Sequence, residues 1–260
     1  MSLALTALRL QAIAALLADP AIAKLCGPRI YDSRIADFDH REPVPTIVLT
    51  TEEMAGDAYS ANNGGPPFDL KAELVLEIAQ TATGDVMMGG EVVTATGPVA
   101  TDRELEAALD FLADRVPRVL GAGDTPEAIL LREAVTRRIT KVKSSRFTTD
   151  ETGEKFAIRL LTLTVQLKGW DESDELVNPP TGEFASLPEP LRSVCAVATG
   201  SARDTCLMLA GIADPPGPDP APLFEGVGMI VAPQPLSPAI VPDQAADVAA
   251  DRVFALHADP

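Results

Sequence analysis

The most suggestive run for chemistry is Tyr31 to Glu42, YDSRIADFDHRE, where Asp32, Asp37, Asp39 and His40 crowd together. Carboxylates and an imidazole at short range can hold a divalent cation. The spacing lacks the glycine turn and the twelfth-position glutamate of an EF-hand loop. Arg34 and Arg41 also sit among the acids, where their charges compete with a cation. A solvated, salt-linked loop is the favoured reading over a metal site. The only other histidine is His257, and the chain has no GxSxG elbow, GxxxxGK[ST] loop or HExxH pair. Gly121-Ala122-Gly123 follows a helical pattern, so it reads as a helix C-cap and turn, because a dinucleotide fingerprint follows a strand. Cys26, Cys195 and Cys206 form no CxxC pair, and an odd number is no disulfide framework, so all three are expected as small buried apolar groups. No catalytic residue, metal or cofactor is expected, and the chain reads as something other than an enzyme.

Charge is distributed more tellingly. With 38 acidic and 21 basic residues the net charge is -17, which rules out a general electrostatic footprint on nucleic acid. Nine of the 21 cations nevertheless fall between Arg132 and Lys168. Arg137, Lys141 and Lys143 project to one side of a strand if its pleat is regular, with Arg138 beside them. Such a face could meet an acidic neighbouring subunit or DNA, or could be a charged outer sheet face. Trp170 could mark an interface, or simply close the edge of the core.

The elements that must position these groups are legible in the apolar spacing. Leu10, Ile13 and Leu17, extended backward by Leu3 and Ala7, form one stripe of an N-terminal helix. This stretch is a little like a signal peptide, but it has no basic leading region, and Arg9 and Gln11 interrupt it. The chain is therefore expected to stay in the cytosol of the cell that makes it. No apolar stretch approaches the ~20 residues that span a bilayer, so no membrane partner is expected. Asp19-Pro20 restarts a short helix that Gly27-Pro28 ends. Strands are expected at Thr46–Thr51 and around Leu70–Ile78, where apolar and polar residues alternate. Between them Ala55 to Pro67, which includes Tyr59, Asn62, Asn63, Gly64 and Gly65, reads as a long hairpin loop.

Thr101-Asp102-Arg103-Glu104 is a capping box, and the following helix carries Leu105, Leu109, Leu112 and Val116 on one stripe. A short helix from Asp124-Thr125-Pro126 and strands at Arg137–Phe147 and Lys155–Leu167 follow. In the last strand the apolar register switches at Leu160, which implies either a bulge or a strand covered on both faces. The fold class expected is α+β, a mainly antiparallel sheet with helices packed on one face. Residues 171–260 hold 14 of the 23 prolines and 14 acidic residues against 3 basic ones. They are expected to be an acidic, proline-rich strand-and-loop extension, or a small β-rich domain, appended to a domain over residues 1–170, with Leu207–Ile212 and Gly226–Ala232 able to form strands.

The run from Leu8 to Leu49 resembles the opening of phage tail terminator and tail-completion proteins. That family begins with an alanine- and leucine-rich helix, then a Gly-x-Arg-Ile-Tyr-Asp turn and a Pro-x-Ile/Val-Val-Leu strand. The matching residues here are Gly27, Arg29, Ile30, Tyr31, Asp32, Pro45, Ile47, Val48 and Leu49. The resemblance covers about residues 1–170, and residues 171–260 depart from it. It implies a virion protein at the tail–neck junction, assembled in the host cytoplasm. A homohexameric ring would cap the tail tube, stop its polymerisation and join the tail to the head-side connector or stopper. Double-stranded DNA would pass through the lumen without specific binding. In that setting Ala55, Tyr59, Asn62, Asn63, Gly64, Gly65 and Trp170 are candidate contacts to the tube or the adjacent protomer. Arg137, Arg138, Lys141 and Lys143 are candidate lumen or partner contacts. A tail tube subunit, a head–tail stopper and, last, a metal-dependent enzyme are the alternatives.

Overall fold

The computed structural model describes residues 2–33, 44–58, 68–81, 83–88, 91–96, 102–149, 156–168 and 180–213. The first helix, α1 (Ser2–Ala18), stops at Asp19-Pro20. Asp19 caps α2 (Pro20–Cys26), its carboxylate accepting from the amides of Ala21 at 3.1 Å and Ile22 at 3.0 Å. The second helix leaves the first at 90° and ends at Gly27. There φ is +57°, a conformation glycine adopts without a Cβ clash.

Strand β1 (Ile30–Asp32) lies parallel to the start of β2 (Thr46–Ala58). Beyond a bulge at Glu52-Glu53, β2 stays paired with β3 (Phe68–Thr81), antiparallel, up to Ala58. Ala55 to Ala58 therefore extend the strand and do not belong to the hairpin loop, contrary to expectation. Gly56 allows this, because a Cβ there would meet Leu70 Cδ2 at 2.8 Å. A small hairpin, β4 (Thr83–Met88) with β5 (Glu91–Thr96), follows as a separate sheet that the sequence pattern did not reveal. Next come α3 (Asp102–Ala122) and α4 (Pro126–Leu130), the latter capped by Thr125 and running into a π turn at Leu131–Val135. Strands β6 (Thr136–Thr149) and β7 (Phe156–Leu167) complete a five-stranded sheet in the order β1-β2-β3-β7-β6. Every pairing in it is antiparallel except β1 with β2. The fold is α+β, as expected.

The face of the sheet toward the helices carries Ile47, Leu49, Leu74, Leu76, Ile78, Leu161 and Leu163, all buried. Leu105, Leu109, Leu112 and Val116 of α3 pack into the same core, as their spacing predicts. In α1 the most deeply buried residues are Ala7, Leu8, Ala12, Ala15 and Leu16, whereas Leu17 is 40% exposed and Ile13 only half-buried. This helix is apolar almost all round, so spacing alone could not select the stripe that meets the sheet. The β3–β7 register runs unbroken through Leu160. The apolar switch there reflects a strand covered on both faces, with Leu161 buried on one side and Leu160 half-buried on the other. The bulges lie instead in β6, near Arg137 and Thr140.

Residues 180–213 correct the expected extension. They form a turn holding Phe184 and Leu187 in the core, then α5 (Leu191–Val197) and α6 (Gly200–Ala213), so Leu207–Ile212 is helical. Helix α5 packs on α1 and on the π turn, and the compact unit runs from Met1 to Ala213, past the boundary composition suggested at residue 170. Residues 214–260, Gly226–Ala232 among them, lie outside the described residues. Cys195 and Cys206 are joined in a disulfide that links α5 to α6, contrary to the reading of three separate thiols. The tight helix–turn–helix brings their Cα atoms to 5.5 Å, a proximity that spacing alone does not disclose. Only Cys26 remains a free buried thiol, and burial pushes it up to about 12 against the opposing charge of Arg29.

Candidate functional site

The two halves of the Gly27–Leu49 motif fold together. Ile30 lies opposite Ile47, Tyr31 opposite Val48 and Asp32 opposite Leu49. Arg9 of α1 clamps them, donating from Nε to Asp32 Oδ1 at 2.6 Å and from Nη1 to Thr51 Oγ1 at 2.7 Å. The residue that interrupted the apolar N-terminal run is thus the one that ties this strand pair to the helix. Asp32 also accepts from Ser33 Oγ at 2.8 Å. Asp37, Asp39 and His40 lie outside the described residues, among which no cluster of potential metal ligands occurs.

Asp19 carries out two tasks. Besides capping α2 it takes Arg115 of α3 at 2.6 Å, joining the two helices. Burial would push its carboxyl up. The Arg115 hydrogen bond, the Ile22 amide, the Arg115 charge and the Ala21 amide together outweigh burial and hold it below the ordinary carboxylate range.

The described cations between Arg132 and Lys168 divide by their partners. Arg146 and Arg159 are bound to acids of α3, with Arg146 on Glu106 at 2.5 Å and Arg159 on Glu106 and Asp110. Arg132 donates to the Gly123 carbonyl, Lys168 to that of Glu133 and Arg138 to Gln166 Oε1. Arg137, Lys141 and Lys143 are exposed and have no ion-pair partner among the described residues. The bulges in β6 change which residues share a face. Arg138, Lys141 and Lys143 stand opposite Gln166, Thr164 and Thr162, all on the side away from the helices. Arg138 thus replaces Arg137 in the row expected from a regular pleat, because each extra residue shifts the alternation by one. Val142 and Phe147 on this strand are each 51% exposed.

At the opposite margin of the sheet, Glu52 and Glu53 occupy the bulge of β2, exposed and without an ion-pair partner among the described residues. Ala55 is exposed on the same strand, opposite Lys71. Tyr59, Asn62, Asn63, Gly64, Gly65 and Trp170 lie outside the described residues. On the sheet face away from the helices, Glu77 stands between Val48 and Leu160, and burial pushes its carboxyl up.

Sequence reasoning did not anticipate an apolar groove of about 840 Å³ between α1, α4 and the α5–α6 turn. The expected stripe Leu10, Ile13 and Leu17 lines it, together with Ile129 and Val197. Its lining includes two carboxylates, Glu127 and Glu133, and no histidine or cysteine, so its chemistry is that of apolar contact. Among the described residues no single helix is long and apolar enough to cross a membrane. A scan against protein-family models and a search of curated proteins found no match to this chain. The class the fold itself defines is an α+β protein with a mixed five-stranded sheet.

Proposed function

We propose that the chain is a structural virion protein that caps a phage tail tube as a ring. In this role it stops tube polymerisation and presents the head-side connector with a finished end. One observation carries the reading: the two described halves of the motif run that resembles tail terminators pair with each other. Gly27 makes the turn, Ile30–Asp32 pairs in register with Ile47–Leu49, and Arg9 locks Asp32 and Thr51 to the first helix. A function performed by such a ring is geometric and needs no reactive group. The ring occupies the tube edge that another tube ring would use, through heterologous contacts that close upon themselves. The net charge of -17 suits a lumen through which DNA must slide, since like charge keeps phosphate from adhering within a Debye length of roughly 8 Å.

The test is to add the purified protein to tail tube protein under polymerising conditions and to image the product. Short tubes bearing a single ring at one end are expected. Tubes of undiminished length, or filaments of the protein by itself, would sink the reading, the latter in favour of a tube subunit.

A further inference from the structure

We infer that the basic edge strand β6 of one protomer docks against the acidic bulged margin of β2 in a second copy of the chain. This inference deepens the ring reading and rests on it for closure, but the contact itself is argued from the sheet. Among the described residues the sheet ends in β6 on one side and, on the other, in β2 beyond Leu49, where β1 no longer covers it, and these two margins have opposite sign. Strand β6 contributes Arg137, Arg138, Lys141, Lys143 and Arg146 and no acid, and β2 contributes Glu52, Glu53 and Asp57 and no base. Surface charges in a chain with 38 acidic residues have many chances to pair internally, and Arg146 and Arg159 do so. Arg137, Lys141 and Lys143, and likewise Glu52 and Glu53, are left without partners among the described residues.

Lysines on an edge strand can serve merely to discourage strand addition. Two features here go beyond that. Phe147, 51% exposed, shares the outward face with Arg138, Lys141 and Lys143, which gives that face apolar contact area as well as charge, while Val142, equally exposed, stands on the opposite face of the strand. A concavity of about 370 Å³ opens beside Arg137, Arg138 and Val142, with Pro117 and Leu120 of α3 in its wall. Complementary patches at two different places on one chain make a head-to-tail contact. Such a contact propagates into a closed ring or an open filament, whereas a two-fold dimer would require one self-complementary patch. Charge of this kind sets register and encounter rate more than raw affinity, so the contact weakens with salt.

The experiment uses the full chain and reads particle mass by light scattering over a concentration series. Two charge reversals are made, K141E/K143E and E52K/E53K, and then combined. Circular dichroism and thermal melts confirm that each variant is folded; the positions are exposed, so folding should survive. The wild type is expected to assemble beyond the 27.3 kDa protomer. Each reversal alone should return it toward protomer mass, and the combination should restore assembly. A wild type that stays at protomer mass, folded single reversals that assemble like wild type, or a combination that fails to recover would each overturn the inference. Retention of short DNA duplexes at low salt, lost in K141E/K143E while assembly persists, would also overturn it, by giving β6 to nucleic acid. The two proposals fail separately. Rings that depend on these charges but leave tubes uncapped would remove the function and keep the interface. Capping by both folded single reversals would do the opposite.

Discussion

Asp19 shows how one side chain can hold a junction. It stops the second helix from fraying and binds Arg115 across the helical layer. Asp19→Ala should cost about 1–2 kcal/mol at neutral pH, the usual range for a lost N-cap, measured by urea denaturation. Its carboxyl is held low in the folded state, so its stabilisation is present in full above the unfolded value of about 3.9 and fades as pH falls through the folded value. The gap between wild type and variant should therefore shrink below about pH 4; a gap that persisted unchanged in acid would contradict the ionic account. Glu77 has the opposite sign. Burial between Val48 and Leu160 raises its carboxyl, so ionisation opposes folding above the raised value. Glu77→Gln should raise the melting temperature at neutral pH, with the gain vanishing at about the ordinary glutamate value of 4.3. Asp19 as a cap was legible from Asp-Pro before an apolar run. Its bond to Arg115, 96 positions away, was not, because nothing local specifies that pairing.

Among the elements, α3 was the most legible. Its four-residue apolar stripe is fully consistent with burial at Leu109 and Leu112. Leu109→Ala should cost about 2–5 kcal/mol in chemical denaturation, since the cavity would face the close-packed centre of the sheet. The α5–α6 pair was the least legible. Proline content around it suggested strands and loops, but four of the 14 prolines beyond residue 170 stand before α5 and the other ten after Ala213, so the helices themselves are free of them. The disulfide closes an 11-residue separation and should contribute about 2–3 kcal/mol by the chain-entropy account. Reduction should therefore lower the melting temperature. Thiol titration should find no reactive cysteine in the native protein and one, Cys26, after denaturation without reductant. Three thiols in the denatured, unreduced protein would show that the bridge does not form.

At the scale of the whole molecule, the compact unit ends at Ala213, and residues 180–213 complete the helical layer. A chain cut after Trp170, where composition changes, should melt lower and bind apolar dyes. It would lose Leu187, Leu191 and Val194 from the core and with them the packing of α5 on α1 and the π turn. An unchanged melting temperature would show that this layer is dispensable. The opposed charges of the two sheet margins belong to this scale too. The cationic run of β6 was visible in the sequence, but Glu52 and Glu53 became its counterpart only when strand order put the two strands on opposite sides of the sheet.

By themselves, the residues determined whatever depends on short-range geometry: the capped and glycine-terminated helices, the alternating strand around Leu74 and Leu76, the α+β class and the acidic balance. Caps, turns and alternation act over a few positions, so they can be read without knowing the rest of the chain. Tertiary structure alone decided which face of the uniformly apolar α1 meets the sheet, where β6 bulges, that Cys195 meets Cys206 and which cations stay unpaired. Each of these is a competition among partners distant in sequence, settled by packing and loop closure rather than by local preference.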